Sequence, residues 1–568
     1  NTFSRIAVYP QRVVKKPYSW GLSSAYAPKR PILERMIDID GVSETPMNYF
    51  DGTRESVEHL RYDVTMIAHY LRENAKVFVI GVGGGRDIVA GKVVFNQKKI
   101  VGAEINNRIL EMVNIRYGAF TGHIDKLPGV EIINDEGRNA ITRYPEKFDI
   151  IQASCIATWS ATSAGAFSLA ENTLYTVEAW RIFMDRLEPN GILSFNRWYS
   201  PDYPAQLMRL ASLASYTLKQ AGVEDPSKHI AIVRNRVMDN HMPSGTILVS
   251  KSPFSETDIK RLREVSAELE FILEYDPNGP KNNLFEQVIE NAGDPLFHAR
   301  TILDLTPPTD DRPFFFFMLR AKDILSGKDL RFNEQRFSLE GITMLAVLLA
   351  VSIALCIVFI LGPLFYMRRE TRLRTTHAIT GLIFFGSIGF GYILVEIGQL
   401  QRLIIFLGHP IYSITVVLFS MLLSSGIGAL TASSIMKDRS PSSLLITAVG
   451  AGISALLLLV ILYQPTILGL FEMQGIYTRI LISLMFLLPL GFLMGLPFPM
   501  GMTIVSERMS SHTPWFWAIN GATSVVASVA SVCISIAWGF TATLSAGLSA
   551  YVFAALALYL LKASIDKP

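Results

Sequence analysis

The back half of the chain consists largely of apolar runs too long for an ordinary soluble domain. After Phe337, seven segments contain the roughly 20 mainly apolar residues that a helix needs to cross a bilayer. Short loops separate these segments, so neighbouring helices are expected to pack as antiparallel hairpins. The segments are Gly341–Tyr366, Ala378–Leu400, Ile411–Ser433, Leu444–Tyr463, Ile480–Pro499, Trp515–Trp538 and Thr541–Leu561. They predict an all-α transmembrane bundle of about seven helices, with the lipid bilayer as a partner.

The front half, up to about residue 338, has charged and turn-forming residues spread throughout. A chain of 568 residues is too long for a single core, so at least two domains are expected. The formal net charge of +3 is close to neutral for this size and does not indicate a nucleic-acid partner. The three cysteines form no C-x-x-C pair, so no metal centre is expected.

A few polar residues interrupt the apolar back half. Glu396 and Arg402 lie near the end of the second predicted span, and His409 and Pro410 follow them. Ionisable groups are costly in lipid, so these side chains should face protein or water. Two interpretations remain open: an interfacial turn in which Glu396 pairs with Arg402, or a polar cavity for a substrate. Asn520 is expected to hydrogen-bond to another helix.

From residue 76 onward, short β-rich runs alternate with helical patterns. This alternation predicts an α/β doubly wound, Rossmann-like fold with a parallel sheet. Helices are expected at Asn107–Tyr117 and Thr176–Leu187, and a capping box at Ser255 predicts a helix to about Glu268. A late antiparallel hairpin would complete a seven-stranded sheet. The predicted strands are Val77–Gly81, Ile100–Glu104, Val130–Asn134, Phe148–Gln152, Ile192–Phe195, Ile230–Arg234 and Thr246–Ser250.

A glycine-rich loop joins the first of these strands to a helix. Glycine permits tight turns and close approach of a ligand to the backbone, so a nucleoside can lie against the start of the helix. An Asp follows the glycines directly after one Arg. The residues concerned are Gly81, Gly83, Gly84, Gly85 and Asp87.

Acidic residues follow the next two strands. Glu104 ends the second strand, where a carboxylate can accept hydrogen bonds from both ribose hydroxyls. Asp135 and Glu136 follow the third strand, where an Asp can bind the adenine amino group. Ligands of such sheets bind at the carboxyl ends of the strands, so these residues predict a nucleoside site. The glycine loop is also similar to an NAD fingerprint. The acidic corner and the lack of a second βαβ half favour a single nucleoside.

At these residues the chain resembles the spermidine synthase family, within the class I S-adenosylmethionine-dependent transferase fold. It looks most like the bacterial membrane-fused members. The resemblance implies S-adenosylmethionine or decarboxylated S-adenosylmethionine as cofactor, with Asp87 after the glycine motif, Glu104 on the ribose and Asp135 on the adenine. We therefore predict an N-terminal lead-in segment (1–75), a Rossmann-like nucleoside-binding domain (76–330) and a multi-pass transmembrane domain (338–568).

The sequence departs from the family at the catalytic loop. The position of the family's catalytic Asp falls near Ser154, and no carboxylate follows directly. A polycationic amine needs anionic partners, so ordinary polyamine synthesis is not expected. The candidate catalytic residues are Ser154, Trp159, Glu171 and Tyr175. The run Phe314–Phe317 is interpreted as a contact between the soluble domain and the membrane surface.

Two functions follow from this pattern. The first is a membrane-tethered transferase that moves a methyl or aminopropyl group to a membrane-presented acceptor. The second is a catalytically inactive accessory or scaffold subunit, with other membrane subunits or a second copy as partners. The resemblance implies the bacterial inner membrane. Cofactor use requires a cytoplasmic soluble domain, whereas the basic loop residues favour the opposite face by the positive-inside rule.

Overall fold

The computed structural model describes residues 4–41, 43–156, 172–236, 243–280, 283–320, 322–323, 336–362, 375–408, 410–436 and 440–565. The chain forms two compact units, Asn1–Gly341 and Ile342–Pro568. The first unit holds all the described strands, and the second is helical. The predicted order, an α/β domain followed by apolar helices, is confirmed.

A small antiparallel sheet precedes the main sheet in sequence. It contains β1 (Ile6–Val8), β2 (Arg12–Val14), β3 (Ile32–Ile39) and β4 (Ser43–Asn48). The longest strand, β3, pairs with each of the other three. No strand or helix was predicted for this segment. A short helix, α1 (Arg54–Val57), and two 3₁₀ helices, Glu58–Tyr62 and Val64–Tyr70, then lead to the main sheet.

The main sheet contains eight strands in the described part of the chain, and five neighbouring strands, up to one edge of the sheet, are parallel. The strands are β5 (Lys76–Ile80), β6 (Lys99–Ala103), β7 (Val130–Ile133), β8 (Phe148–Ser154), β9 (Leu187–Trp198), β10 (Ile230–Arg234), β11 (Ser244–Ser250) and β12 (Ile272–Tyr275). Their order is β12–β10–β11–β9–β8–β5–β6–β7, and the three strands on the β12 side run antiparallel. The predicted count of seven was therefore wrong. The additional strand, β12, has only four residues, too few to show an alternating pattern.

Helices connect the strands. They are α2 (Arg86–Val89), α3 (Asn107–Glu111), α4 (Gly118–Thr121), α5 (Gly137–Arg143), α6 (Val177–Asp185), α7 (Ala205–Gln220), α8 (Glu256–Glu268), α9 (Leu284–Glu290) and α10 (Pro295–Arg300). Both α2 and α3 continue into a π-helical turn. The predicted capping box is confirmed, because Ser255 and Asp258 each bond the other's backbone N–H group.

The Phe314–Phe317 run is buried inside the first unit, and its four rings are at most 4% exposed. The interpretation as a membrane-facing surface was therefore wrong. The guanidinium of Arg209, on α7, donates to the carbonyl oxygens of Phe314, Phe315 and Phe317 at 2.6–3.1 Å. An arginine can satisfy several buried carbonyl groups at once, which lets this irregular segment run through the core.

The second unit contains eight further helices in its described part. They are α11 (Arg336–Leu355), α12 (Thr375–Leu407), α13 (Pro410–Ile435), α14 (Ser443–Leu470), α15 (Ile476–Gly495), α16 (Pro497–Arg508), α17 (Thr513–Trp538) and α18 (Phe540–Ile565). Seven helical segments are long and apolar enough to cross a membrane, with α15 and α16 forming one of them. The predicted number of spans is confirmed. Pro497 divides that segment, as expected for a proline within a helix.

A few polar residues of the second unit bond to each other across helices. Arg402 donates to the hydroxyl of Thr541 at 2.9 Å and to the amide oxygen of Gln464 at 3.3 Å. Gln464 and Gln399 exchange reciprocal amide hydrogen bonds. No ion pair joins Glu396 to Arg402 in the described residues, so the predicted pairing was wrong. Arg402 donates to the neutral acceptors of Gln464 and Thr541 instead. The interhelical bond of Asn520 is confirmed, since its amide donates to the carbonyl of Phe385 at 3.0 Å.

A buried histidine provides a test of the first unit's packing. His69 lies between Gln152 and Gln97, with its ring nitrogens 2.8 and 3.2 Å from the two amide groups. Burial lowers the pKa of His69 to about 4. In the unfolded chain His69 binds a proton near pH 6.5, whereas in the folded chain it stays neutral down to about pH 4. The first unit should therefore lose stability as the pH falls from 6.5 towards 4. The loss from this residue is at most roughly 3 kcal/mol.

Pulse proteolysis of the full chain in urea, repeated between pH 7.5 and 4.5, measures this loss. The His69→Gln variant should show a shallower dependence on pH than the unmodified chain. Some dependence should remain, because burial also lowers the pKa of His59, to about 3. Parallel curves for the two proteins would contradict the assignment.

Candidate functional site

The carboxyl ends of β5, β6 and β7 bring together the glycine loop, Glu104 and Asp135. The backbone N–H of Gly83 donates to the Oε2 atom of Glu104 at 3.0 Å. The backbone N–H of Asp135 donates to the carbonyl oxygen of Glu104 at 3.1 Å. Neighbouring parallel strands end at one edge of the sheet, which is why residues more than 20 positions apart in sequence meet here.

Glu104 is the best-held acidic group at this edge. Its second oxygen, Oε1, accepts a hydrogen bond from the backbone N–H of Asn106 at 3.0 Å. The residue is 6% exposed. Burial raises the pKa of this carboxyl, and the two backbone N–H groups of Asn106 and Gly83 oppose that rise. A carboxylate oriented by two backbone donors next to a glycine loop has the chemistry of a hydroxyl acceptor.

The two acidic residues after β7 have different surroundings. Glu136 caps α5, because its carboxylate accepts from the backbone N–H groups of Arg138 at 3.0 Å and Asn139 at 2.9 Å. Asp135 forms an ion pair with Arg143 and also accepts from its neighbour's backbone N–H. The side chain of Asp135, which is predicted to lie at the adenine position, is 26% exposed.

The glycine loop turns sharply and packs against β4. Gly81, Gly83 and Gly85 have φ angles of 79°, 52° and 87°, a region that suits glycine. Gly84 has a different role. A Cβ atom there would lie 1.9 Å from the carbonyl oxygen of Pro46, so its missing side chain makes room for β4. The backbone N–H of Gly84 donates to the hydroxyl of Thr45, also on β4, at 3.0 Å.

A buried charged cluster lies just beyond the loop, at the start of α2. The guanidinium of Arg86 contacts the carboxylate of Asp63 at 2.9 Å and donates to the hydroxyl of Thr65 at 2.6 Å. Burial raises the pKa of Asp63, but Arg86 and several hydrogen bonds outweigh it and lower that pKa overall. Burial raises the pKa of the neighbouring Asp87, with Arg86 opposing the change. Hydrogen bonds from Ser154 and Gln152 also stabilise the Asp87 carboxylate.

The end of β8 therefore lies against this cluster. The amide of Gln152 donates to the hydroxyl of Ser154 at 3.0 Å. The next residue, Cys155, has a φ of 49° and its thiol contacts the Oδ1 atom of Asn196 at 2.9 Å. Burial raises the pKa of this thiol to about 12, so Cys155 is held as a neutral thiol.

Tyr175 is fully packed and lies on the β9 side of the same edge. Its hydroxyl donates to the carbonyl of Ile156 at 2.6 Å, and its ring stacks on Phe315. The guanidinium of Arg197, on β9, donates to the same carbonyl at 2.8 Å and to Gln206 at 2.9 Å. The other two catalytic candidates, Trp159 and Glu171, lie outside the described residues.

Asp63, Arg86 and Arg197 were not among the site residues predicted from the sequence. Asp63 is brought to the site by hydrogen bonds from residues 19–21, a contact between distant segments that no local pattern indicates. Arg86 had one available signal, its position between Gly85 and Asp87. Arg197 lies within an apolar strand and had none. Among the described residues, no group of three or more His, Cys, Asp or Glu side chains is arranged to hold a metal ion.

Solved structures of similar shape are spermidine synthases and methyltransferases. Spermidine synthase from Thermotoga maritima is 18% identical with a TM-score of 0.28, over 50% of this chain and 83% of that protein. A probable spermidine synthase from Corynebacterium glutamicum is 14% identical with a TM-score of 0.32, over 51% and 94%. Human methyltransferase-like protein 13, in complex with SAH, is 14% identical with a TM-score of 0.26, over 40% and 96%.

No protein-family model and no curated protein sequence matches the chain. Identities and TM-scores this low do not indicate the activity of this chain. The strand order and the position of the glycine loop are what identify the first unit as a Rossmann-like domain.

The close approach of β4 to the glycine loop gives a prediction. The Gly84→Ala variant should lose about 1–3 kcal/mol of stability, because the added methyl group meets the Pro46 carbonyl and β4 must move. Gly279→Ala is the matched control, since its nearest atom would be 3.3 Å away. Neither glycine has a positive φ, so only the steric contact differs. Equal loss in both variants, measured by pulse proteolysis, would contradict the packing described here.

Proposed function

We propose that the first unit binds an S-adenosylmethionine-type nucleoside and that the chain is a membrane-tethered transferase. The single observation that carries this is the meeting of the glycine loop and the Glu104 carboxylate, joined by the 3.0 Å bond from Gly83. The residues suit the cofactor in kind and place: Glu104 for the ribose hydroxyls, Asp135 for the adenine amino group and the loop for close backbone approach. Bound there, the sulfonium of the cofactor would supply the transferable alkyl group.

The surroundings of Ser154 favour an uncharged acceptor. Asp63 is already paired with Arg86, and Asp87 is buried with a raised pKa, so little free negative charge remains to hold a polyamine. Ser154 and Cys155 would border the acceptor, with Tyr175 packed behind them. The seven apolar helices would keep the domain at the membrane, which suits a membrane-presented acceptor. Cofactor use would place the first unit on the cytoplasmic side.

One observation favours the second candidate, an accessory subunit without catalysis. The backbone N–H groups of Gly83 and Gly84 already have partners within the chain, Glu104 and Thr45. A loop satisfied in this way is stable without a ligand. Under this alternative the glycines serve the packing of β4, and the domain provides a surface for another subunit.

Binding of methylthioadenosine separates the two functions. This nucleoside contains the adenosine portion of the cofactor but no amino-acid tail. We expect calorimetric titration of the full chain in detergent to show micromolar binding. In the Glu104→Ala variant binding should weaken at least tenfold, which corresponds to about 1.4 kcal/mol, because both ribose hydroxyls lose their acceptor.

Glu111→Ala is the control, because the side chain of Glu111, on α3, is 40% exposed and its described partner is Arg108. It should bind methylthioadenosine as the unmodified chain does. If methylthioadenosine does not bind to the unmodified chain, the transferase proposal is contradicted and the accessory subunit is favoured. If the Glu104→Ala variant binds it as tightly as the unmodified chain, the nucleoside site lies elsewhere in the protein.

A further inference from the structure

We propose that Arg86 forms a carboxylate-binding subsite, so that the chain selects S-adenosylmethionine over its decarboxylated form. This inference rests on the proposed nucleoside site and names which of the two cofactors it takes. Its consequence is the reaction class: the transferred group would be a methyl group rather than an aminopropyl group.

The first observation is an incompletely satisfied guanidinium. Arg86 is 4% exposed, and one of its terminal nitrogens, Nη2, is bonded to Asp63 and Thr65. Its Nε and Nη1 atoms are also buried, and neither has a hydrogen-bond partner among the residues that the structure describes. The carboxylate of Asp87 lies 3.8 Å from Nε, too far for a hydrogen bond. Nε and Nη1 together carry three N–H groups without an acceptor among the described residues, so this guanidinium can still donate to an anion.

The second observation is the place of Arg86 along the sheet edge. The strand order puts β6 and its Glu104 on one side of β5, and β8 with Ser154 on the other. A nucleoside whose ribose lies at Glu104 must extend its tail across the glycine loop to reach β8. Arg86 follows the last glycine of that loop, and its Nε atom lies 3.8 Å from Asp87, whose carboxylate accepts a hydrogen bond from Ser154 at the end of β8. The unbonded Nε therefore borders the region that the tail would enter.

The third observation is the charge of this region. Arg197 is also buried, and it has no acidic partner in the part of the chain that the structure describes. Two guanidinium groups and two carboxylates thus surround the end of β8, and one of these carboxylates is committed to Arg86. A tail carrying both an ammonium and a carboxylate group matches this mixture. A tail with only the ammonium group would leave the free donors of Arg86 unbonded.

A purely structural Arg86 makes a different prediction. If its only task were to hold Asp63 and residues 19–21 in place, the tail would not matter. Affinity for the two cofactors would then be similar, since they share the adenosine, the sulfonium and the ammonium group. The comparison of these two ligands therefore isolates one carboxylate and needs no mutation.

The experiment is calorimetric titration of the unmodified full chain with S-adenosylmethionine and with decarboxylated S-adenosylmethionine. We expect at least tenfold tighter binding of S-adenosylmethionine. The Arg86→Lys variant keeps the charge beside Asp63 but loses the second donor edge. In this variant the ratio of the affinities for S-adenosylmethionine and its decarboxylated form should fall towards one. Its affinity for methylthioadenosine should stay within about threefold of that of the unmodified chain if the ribose site is intact.

Arg72→Lys is the matched control, because Arg72 pairs with Asp258 outside this edge and should leave the preference unchanged. Equal or tighter binding of the decarboxylated form by the unmodified chain would overturn the inference, even if methylthioadenosine binds. An unchanged preference in a folded Arg86→Lys variant would also overturn it. If that variant does not fold, the ratio in the unmodified chain decides. Failure of all three ligands to bind would instead overturn the proposed function.

Discussion

The hydrogen bond from the backbone of Gly83 to the carboxylate of Glu104 is the contact on which the candidate site depends. It fixes the glycine loop at the end of β5 relative to the end of β6. The next contact, between Asp135 and the Glu104 carbonyl, extends the arrangement to β7. A parallel sheet supplies the strand ends, but these two bonds determine which groups face each other there. Residues from three separate stretches of sequence thereby form one edge with hydroxyl and amine acceptors.

The charged cluster beyond the loop has a different origin. Asp63 precedes a 3₁₀ helix of the lead-in segment, whereas Arg86 and Asp87 open α2. Burying such charges is costly unless each is paired, and the Asp63–Arg86 ion pair offsets part of that cost. The unsatisfied side of Arg86 is the exception. We interpret it functionally because it borders the glycine loop and the end of β8, where the proposed function requires a ligand.

The second unit follows the same rule in a more apolar setting. Its polar side chains would be costly in lipid, and most of them bond to one another or to backbone carbonyls. Gln399, Gln464 and Arg402 form one such network. These contacts join helices, as expected of polar residues in a helical bundle.

The sequence predicted much of the fold, because hydrophobic patterns and glycine turns are local signals. The parallel strands, the seven spans and the Ser255 capping box were found in this way. Contacts between distant segments were not predictable. The Phe314–Phe317 run resembled a membrane contact because its hydrophobicity was visible, whereas the burying contacts of Arg209 depend on the tertiary fold.

The candidate site was also only partly predictable. Glu104 and Asp135 could be proposed from the sequence because each lies at the carboxyl end of a predicted strand. The free side of Arg86 could not, because hydrogen-bond satisfaction depends on which groups the fold brings near. The close packing of β4 against Gly84 could not be predicted for the same reason, because Pro46 lies far from Gly84 in sequence.

Hydrogen–deuterium exchange of the full chain, with and without S-adenosylhomocysteine, tests the central claim most directly. The account predicts slower exchange at three separate segments, residues 81–87, 104–108 and 134–140, because one nucleoside would contact all three strand ends. The exchange rate of residues 43–48, which form β4, should also change, because β4 packs on the glycine loop. Unchanged exchange at all of these segments, with ligand in excess, would contradict a nucleoside site at this edge of the sheet.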